Sequence, residues 1–267
     1  MERIEHHCSD LPGVRFIDAE YHRFAFPRHF HLDFHIGLML DGRQRYVHGG
    51  ESCLAGGGDI LLMTPESIHD GASEDDAGYR IRVLSLEPQW LEQAARAFSD
   101  GRQGTPQLLA SQLRDAQLQQ QLHGLHQVLM AGERLEQEGR LWQGLATLLE
   151  RTSRLRIREP GQGFDAATWR RLREWLESRL ESPPTLDELA AFCDLSSWQV
   201  LRRFRNHCGL PPHQWLTQLR LERALPRVIA GQPLSEIALS LGFYDQAHFS
   251  RLFRRTYGLP PARLRPR

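Results

Sequence analysis

The sequence predicts an α+β protein, with a small N-terminal β-barrel and its flanking helices followed by an all-α domain of two helix-turn-helix units. Three observations carry that prediction. Hydrophobic spacing changes from strand-like to helical near residue 88, a Pro/Gly-containing stretch near residue 160 precedes purely helical segments, and the last hundred residues repeat themselves. At 267 residues the chain exceeds one small core and suits two domains, 1–160 and 161–267.

The strand-like zone runs from Val14 to Leu86. Short apolar or alternating runs (VRFID, FHIGLML, RQRYVH, DILLM, YRIRVLSL) are separated by turn-forming LDGR and LAGGGD. Strands of this length and spacing form a small barrel or sandwich. From Pro88 to Arg158 the spacing becomes helical: Leu118, Leu122, Leu125 and Leu129 form one stripe, and Leu141, Leu145, Leu148, Thr152 and Leu155 another. Each stripe needs a partner surface, either the barrel or a second copy in a homodimer. The stretch REPGQGFD then has the composition of a linker.

Composition narrows the setting. No run of 18 apolar residues exists, and the start MERIEHHCSD lacks a basic-then-apolar leader pattern. Cys8, Cys53, Cys193 and Cys208 are scattered without CxxC spacing, which fits reduced thiols in a cytoplasmic protein with no membrane partner. The net charge of +0 conceals a division. Asp165–Arg267 carries 16 arginines against 10 acidic residues, a net of +6, and residues 1–164 carry 17 against 23, a net of −6. Only the last third is suited to meeting a polyanion.

That last third contains the repeat. LDELAAFCDLSSWQVLRRFRNHCGLPP answers LSEIALSLGFYDQAHFSRLFRRTYGLPP. Leu189-Ala190 pairs with Ile237-Ala238 at a separation of 48; Phe204, Gly209 and Leu210-Pro211-Pro212 pair with Phe253, Gly258 and Leu259-Pro260-Pro261 at 49. Each copy has helix-turn-helix mechanics. Thr185 and Glu188 form a capping box, Ala190 and Ala238 allow two helices to approach, and Asp194 and Gly242 fall where the turn needs a left-handed residue. Ser196 and Asp245 cap the second helices, which bury Val200 and Phe204 or Phe249 and Phe253. Their outer faces then carry Ser197, Trp198, Gln199, Arg202 and Arg203 in the first copy. In the second they carry Asp245, Gln246, His248, Arg251 and Arg254. Arginine reads guanine bidentately, glutamine reads adenine, and further arginines and hydroxyls hold phosphates, so double-stranded DNA is the expected partner.

GFYDQAHFSRLFRRTYGLPPARLR resembles the signature of the AraC/XylS family of bacterial transcription regulators, and QLRLERA resembles its linker helix. The resemblance implies two recognition helices entering successive major grooves, with Trp198, Gln199 and Arg202 at the first and Gln246, His248 and Arg251 at the second. An activator of this kind would also engage RNA polymerase. Three residues depart from the family pattern. Asp194 replaces the usual Gly, Leu264 replaces an aromatic, and Pro226 lies inside the linker helix, where it removes a hydrogen bond and favours a kink.

The N-terminal zone is rich in histidine. HFHLDFHIGLMLDG reads His-x-His-x3-His-x6-Gly and resembles the first motif of cupin barrels, with His35 where metal-binding cupins carry Glu. GGGDILLMTPESIH resembles the second motif, with Pro65 in its turn and His69 as its histidine. On a strand, His29, His31 and His35 share parity and one face. Together with Tyr46 and His69 they are the candidate binding set for a small-molecule effector. His29, His31, His35 and His69 are equally candidates for Zn²⁺, Fe²⁺ or Ni²⁺, and no other cofactor is expected. They could also be structural. Three functions therefore compete: a ligand-responsive, non-enzymatic transcription regulator, a metal-sensing regulator, and a metal-dependent cupin enzyme carrying a DNA-binding module. The first accounts for most of the chain.

Overall fold

A computed structural model describes residues 2–99, 106–155, 157, 161 and 163–264. Of the expected linker, Arg158, Glu159, Pro160 and Gln162 lie outside them. The chain forms two compact units, Met1–Glu159 and Pro160–Arg267.

In the first unit the strands are β1 (Arg3–Cys8), β2 (Val14–Tyr21), β3 (Phe26–His29), β4 (Phe34–His48), β5 (Glu51–Gly56), β6 (Ile60–Met63), β7 (His69–Ser73), β8 (Tyr79–Leu86) and the short β9 (Gln112–Leu113). The order β1-β2-β8-β4-β6-β9 makes one layer, and β3-β7-β4-β5 the other. The 15-residue β4 belongs to both. Its first half pairs with β8 and β6, its second with β5 and β7, and the register shifts between Met39 and Asp41 where it crosses. Gly42 follows the shift at φ 71°, and a Cβ there would collide with the Gly78 carbonyl and the Tyr79 backbone. Only glycine supplies both that conformation and that close approach. β1 begins before the expected strand zone. Its side chains are almost all exposed, so the sequence RIEHHC carries no alternating apolar signal to announce it.

The shared layer is apolar on both faces. Ile17, Ala19, Tyr21, Tyr79, Ile81 and Val83 face inward, towards a cavity. On the other face Ile36, Leu38 and Leu84 meet Leu122, Leu125 and Leu129 of helix α2 (Ala116–Ala131). Helix α3 (Arg134–Thr152) packs on α2 and on α1 (Pro88–Phe98), burying Leu141, Leu145, Leu148 and Leu149. Both leucine stripes are therefore covered within one chain. They pack on the barrel and on each other.

The second unit is helical: α4 (Ala166–Glu177), α5 (Leu186–Cys193), α6 (Ser197–Cys208), α7 (Pro212–Ile229), α8 (Leu234–Ser240), α9 (Gln246–Tyr257) and a closing 3₁₀ turn, Pro261–Arg263. The capping box of Thr185 and Glu188 forms, as do the Ser196 and Asp245 caps. Asp194 takes the left-handed conformation at φ 53°, and Gly242 at φ 74°. α7 continues through Pro226 for one more turn. Leu221, Ala224, Val228, Ile237, Phe243, Phe249 and Phe253 form the core of the second helix-turn-helix, against which Leu264 packs in the place of the expected aromatic.

Candidate functional site

Three segments bring the N-terminal histidines together. His29 is the last residue of β3 and pairs in register with His69, the first residue of β7. Directly opposed residues of antiparallel strands sit close enough for their side chains to meet, and the two rings lie 4.4 Å apart. His31 lies in the bend before β4, so strand parity is not what aims it. The bend is fixed instead by three contacts. Glu66 N donates to the His31 carbonyl at 2.8 Å, and the buried Asp33 accepts from Ser85 Oγ at 2.8 Å and pairs with Arg15. His31 then stands 4.8 Å from His29 and 5.2 Å from His69, ring centre to ring centre.

The candidate ligand atoms of His29, His31 and His69 all lie within 4.8 Å of one another. The expectation that His35 joins them is corrected. Its ring stacks on His31 at 3.8 Å and 24°, beyond the group of three. Burial is the main cause that holds His35 down to about 3 and His31 to about 4, and it lowers His69 as well. These three imidazoles are therefore neutral near pH 7.

The histidines form one wall of a cavity of about 140 Å³. Around them the lining is Ile17, Ala19, Leu61, Met63, Ile81 and Val83, the rings of Tyr21, Phe26 and Tyr79, and the carboxylate residue Asp70. Tyr46 also lines it, but its hydroxyl donates to Gln112 Oε1 at 3.0 Å, so it presents a ring rather than a free polar group. Tyr79 and Gln44 went unnoticed in the sequence. Both are buried, and neither Tyr79 Oη nor Gln44 Oε1 has a hydrogen-bond partner. The signal was the inward parity shared by Tyr79, Ile81 and Val83 on β8, which places Tyr79 on the cavity face.

In the second unit the two helices expected to meet DNA are α6 and α9. Gln246, Arg251 and Arg254 are exposed on α9, with Asp245 at its cap. His248 is half-buried, its ring edge-on to Phe243 at 6.0 Å. On α6 the expected outer face is corrected at three positions. Trp198 is buried at 4% exposure, and Arg202 lies over its ring at 5.4 Å. Ser197 is buried and donates to Asp187 Oδ1 at 2.8 Å. Gln199 is half-buried, and its Oε1 accepts from Ser196 N in a second capping box. Arg202 and Arg203 are half-buried. Arg205 is exposed and stands 49 residues before Arg254, matching it in the repeat, although it is not among the residues expected from the sequence.

Residues 11–146 match the model of the AraC-like ligand binding domain, and residues 189–267 match a helix-turn-helix domain model. The chain belongs to the AraC family. The MmsAB operon regulatory protein of Pseudomonas aeruginosa is 31% identical over 93% of this chain and 80% of its own length. The transcriptional activator RhaS of Klebsiella pneumoniae is 27% identical over 93% and 91%, and RhaS of Escherichia fergusonii 28% over 90% and 88%. As an AraC-family member the chain is a DNA-binding transcription regulator controlled by a small molecule bound in its N-terminal barrel. Among its described residues no helix is long and apolar enough to cross a membrane.

Proposed function

We propose that the effector binds inside the barrel cavity, in contact with Tyr79, Gln44 and the histidine wall. The carrying observation is the pair of buried polar atoms, Tyr79 Oη and Gln44 Oε1, left without partners in a chamber whose other walls are mostly apolar apart from the histidines and Asp70. A buried polar group without a partner costs about 1–3 kcal/mol, which a ligand supplying the missing bonds recovers. The effector is therefore small, with an apolar body and a hydrogen-bond donor for Gln44. A cavity of about 150 Å³ holds a benzene-sized molecule, and this one, at about 140 Å³, sets a similar limit on the enclosed part.

Effector binding acts on DNA binding only through different affinity for two states of the protein. On the DNA side, Arg202 and Arg205 of α6 and Gln246, Arg251 and Arg254 of α9 supply the contacts. The activator designation of the RhaS relatives supports an additional contact with RNA polymerase. A thermal-shift screen of small metabolites against the full chain tests the effector site. A stabilising compound whose effect disappears in Met63→Trp, which fills the cavity, supports it; a compound that stabilises both proteins equally refutes it.

A further inference from the structure

Three histidines of the proposed effector cavity are gathered more closely than a shared wall alone requires. We infer that His29, His31 and His69 form a site for one divalent transition-metal ion, held through three imidazole nitrogens in the cavity wall. The first ground is distance: the candidate ligand atoms lie within 4.8 Å of one another. A tetrahedral ion with metal–nitrogen bonds of about 2.0–2.1 Å needs them about 3.3 Å apart, a closure that small ring rotations supply.

The second ground is orientation. His29 Nδ1 lies 2.7 Å from the Pro27 carbonyl, and His69 Nδ1 lies 2.8 Å from the Ser67 carbonyl. Each Nδ1–H therefore donates to backbone, which fixes the tautomer and leaves an Nε2 lone pair free. That second bond is the one metal-ligating histidines almost always make. His31 is steadied by a different route, its carbonyl held by Glu66 N. Two of the three rings are thus held by backbone carbonyls, and the third rides on backbone held by Glu66.

The donor set indicates the kind of ion. All three donors are imidazole nitrogens with no carboxylate among them, which suits zinc, cobalt, nickel or copper and not magnesium or calcium. The His35 ring, stacked on His31 where the cupin resemblance places a carboxylate ligand, is outside the set. Three protein ligands leave a coordination position open, as in sites that bind or activate a ligand and unlike closed structural sites. The cavity adjoins that position. Among the described residues no arginine lines the cavity and its charged lining residue is Asp70, so the ion would supply a positive charge beside that carboxylate and would admit an oxygen donor.

The test is Co²⁺ titration of the full-length, chelator-treated chain without a polyhistidine tag, followed by visible absorption and calorimetry. The expected result is one Co²⁺ per chain, with visible bands of a four- or five-coordinate centre. Affinity should fall at least about tenfold in each of His29→Ala, His31→Ala and His69→Ala. It should be unchanged in His123→Ala, at an exposed histidine of α2. The absence of saturable binding near one equivalent overturns the inference, as does full affinity in all three variants. The wild-type stoichiometry decides the matter even if a variant fails to fold. A wild-type chain that binds no Co²⁺ but still binds the effector would overturn this inference and leave the proposed effector site standing.

Discussion

The guanidinium of Arg220, only 1% exposed, donates from Nε and Nη2 to one acceptor, the carbonyl oxygen of Leu180, at 2.9 and 2.7 Å. Arg220 lies on α7, which joins the two helix-turn-helix units, and Leu180 lies in the loop that follows α4. The same guanidinium stands 5.7 Å above the ring of Phe243, beside the turn of the second unit. A buried charge thus ties the lead-in of the first unit to the turn of the second. Replacing it with Met keeps most of the volume but strands the Leu180 carbonyl. Arg220→Met is expected to lower the opening free energy of α7 amides by about 2–4 kcal/mol. Hydrogen exchange of the full chain measures this, and barrel amides should keep their protection.

The two turns carry different residues for a physical reason. At Gly242 a Cβ would strike the Leu180 and Glu181 carbonyls and Arg220 Nη2. Asp194, its counterpart, is exposed at φ 53°, and the aspartate bears only conformational strain. Asp194→Gly should therefore stabilise the unit by about 0.5–1 kcal/mol, while Gly242→Ala should destabilise it by more than about 2 kcal/mol. The same exchange experiment reads both, and equal effects of opposite sign would contradict the account.

Much of this was legible in the sequence because it rests on local rules. The capping box of Thr185 and Glu188, the Ser196 and Asp245 caps and the left-handed turn residues each depend on near neighbours in the chain, and the 48–49-residue repeat shows them twice. The outer face of α6 was misread because burial of Trp198 depends on packing that helical spacing does not encode. The histidines were found for a partly wrong reason. Parity predicted a shared face, but His31 sits outside any strand and is aimed by contacts from Glu66, Ser85 and Arg15. Tyr79 and Gln44 were missed because a buried polar atom without a partner is a property of three-dimensional surroundings alone.

His126 gives the barrel a pH dependence. It packs edge-on to Phe16 at 4.7 Å, and its Nε2 stands 4.0 Å from Asp18 Oδ2. Burial is the first cause and nearby Arg82 the second that lower it to about 4; Asp18 opposes them, and His7 and His123 add slightly. The folded form therefore resists a proton that the unfolded chain accepts near pH 6.5. Stability is unaffected above that value and falls as pH drops from about 6.5 to about 4. His31, His35 and His69 act in the same direction. In His126→Phe the proton uptake linked to unfolding near pH 5 should fall by about one per chain. Denaturant titrations across that range measure it, and an unchanged pH profile would show that His126 is accessible to protons in the folded state.

The DNA interface yields the sharpest contrast, because burial separates side chains that sequence alone grouped together. Arg251 and Arg254 are exposed on α9, and Arg202 and Arg205 hold the matching repeat positions on α6. If α6 and α9 are the reading helices, Arg202→Ala and Arg251→Ala should each weaken binding to a selected operator by about 1–3 kcal/mol. An arginine that only neutralises a phosphate behaves differently: its loss weakens all sequences alike and lowers the salt dependence by about one unit of slope. Trp198→Phe provides the control. With its indole buried beneath Arg202, it should alter stability first and operator preference only through Arg202. Operator and nonspecific affinities, measured at several salt concentrations, separate these outcomes. Unchanged operator affinity in both Arg202→Ala and Arg251→Ala would remove α6 and α9 from the interface and send the search for DNA contacts to other arginines of the basic unit.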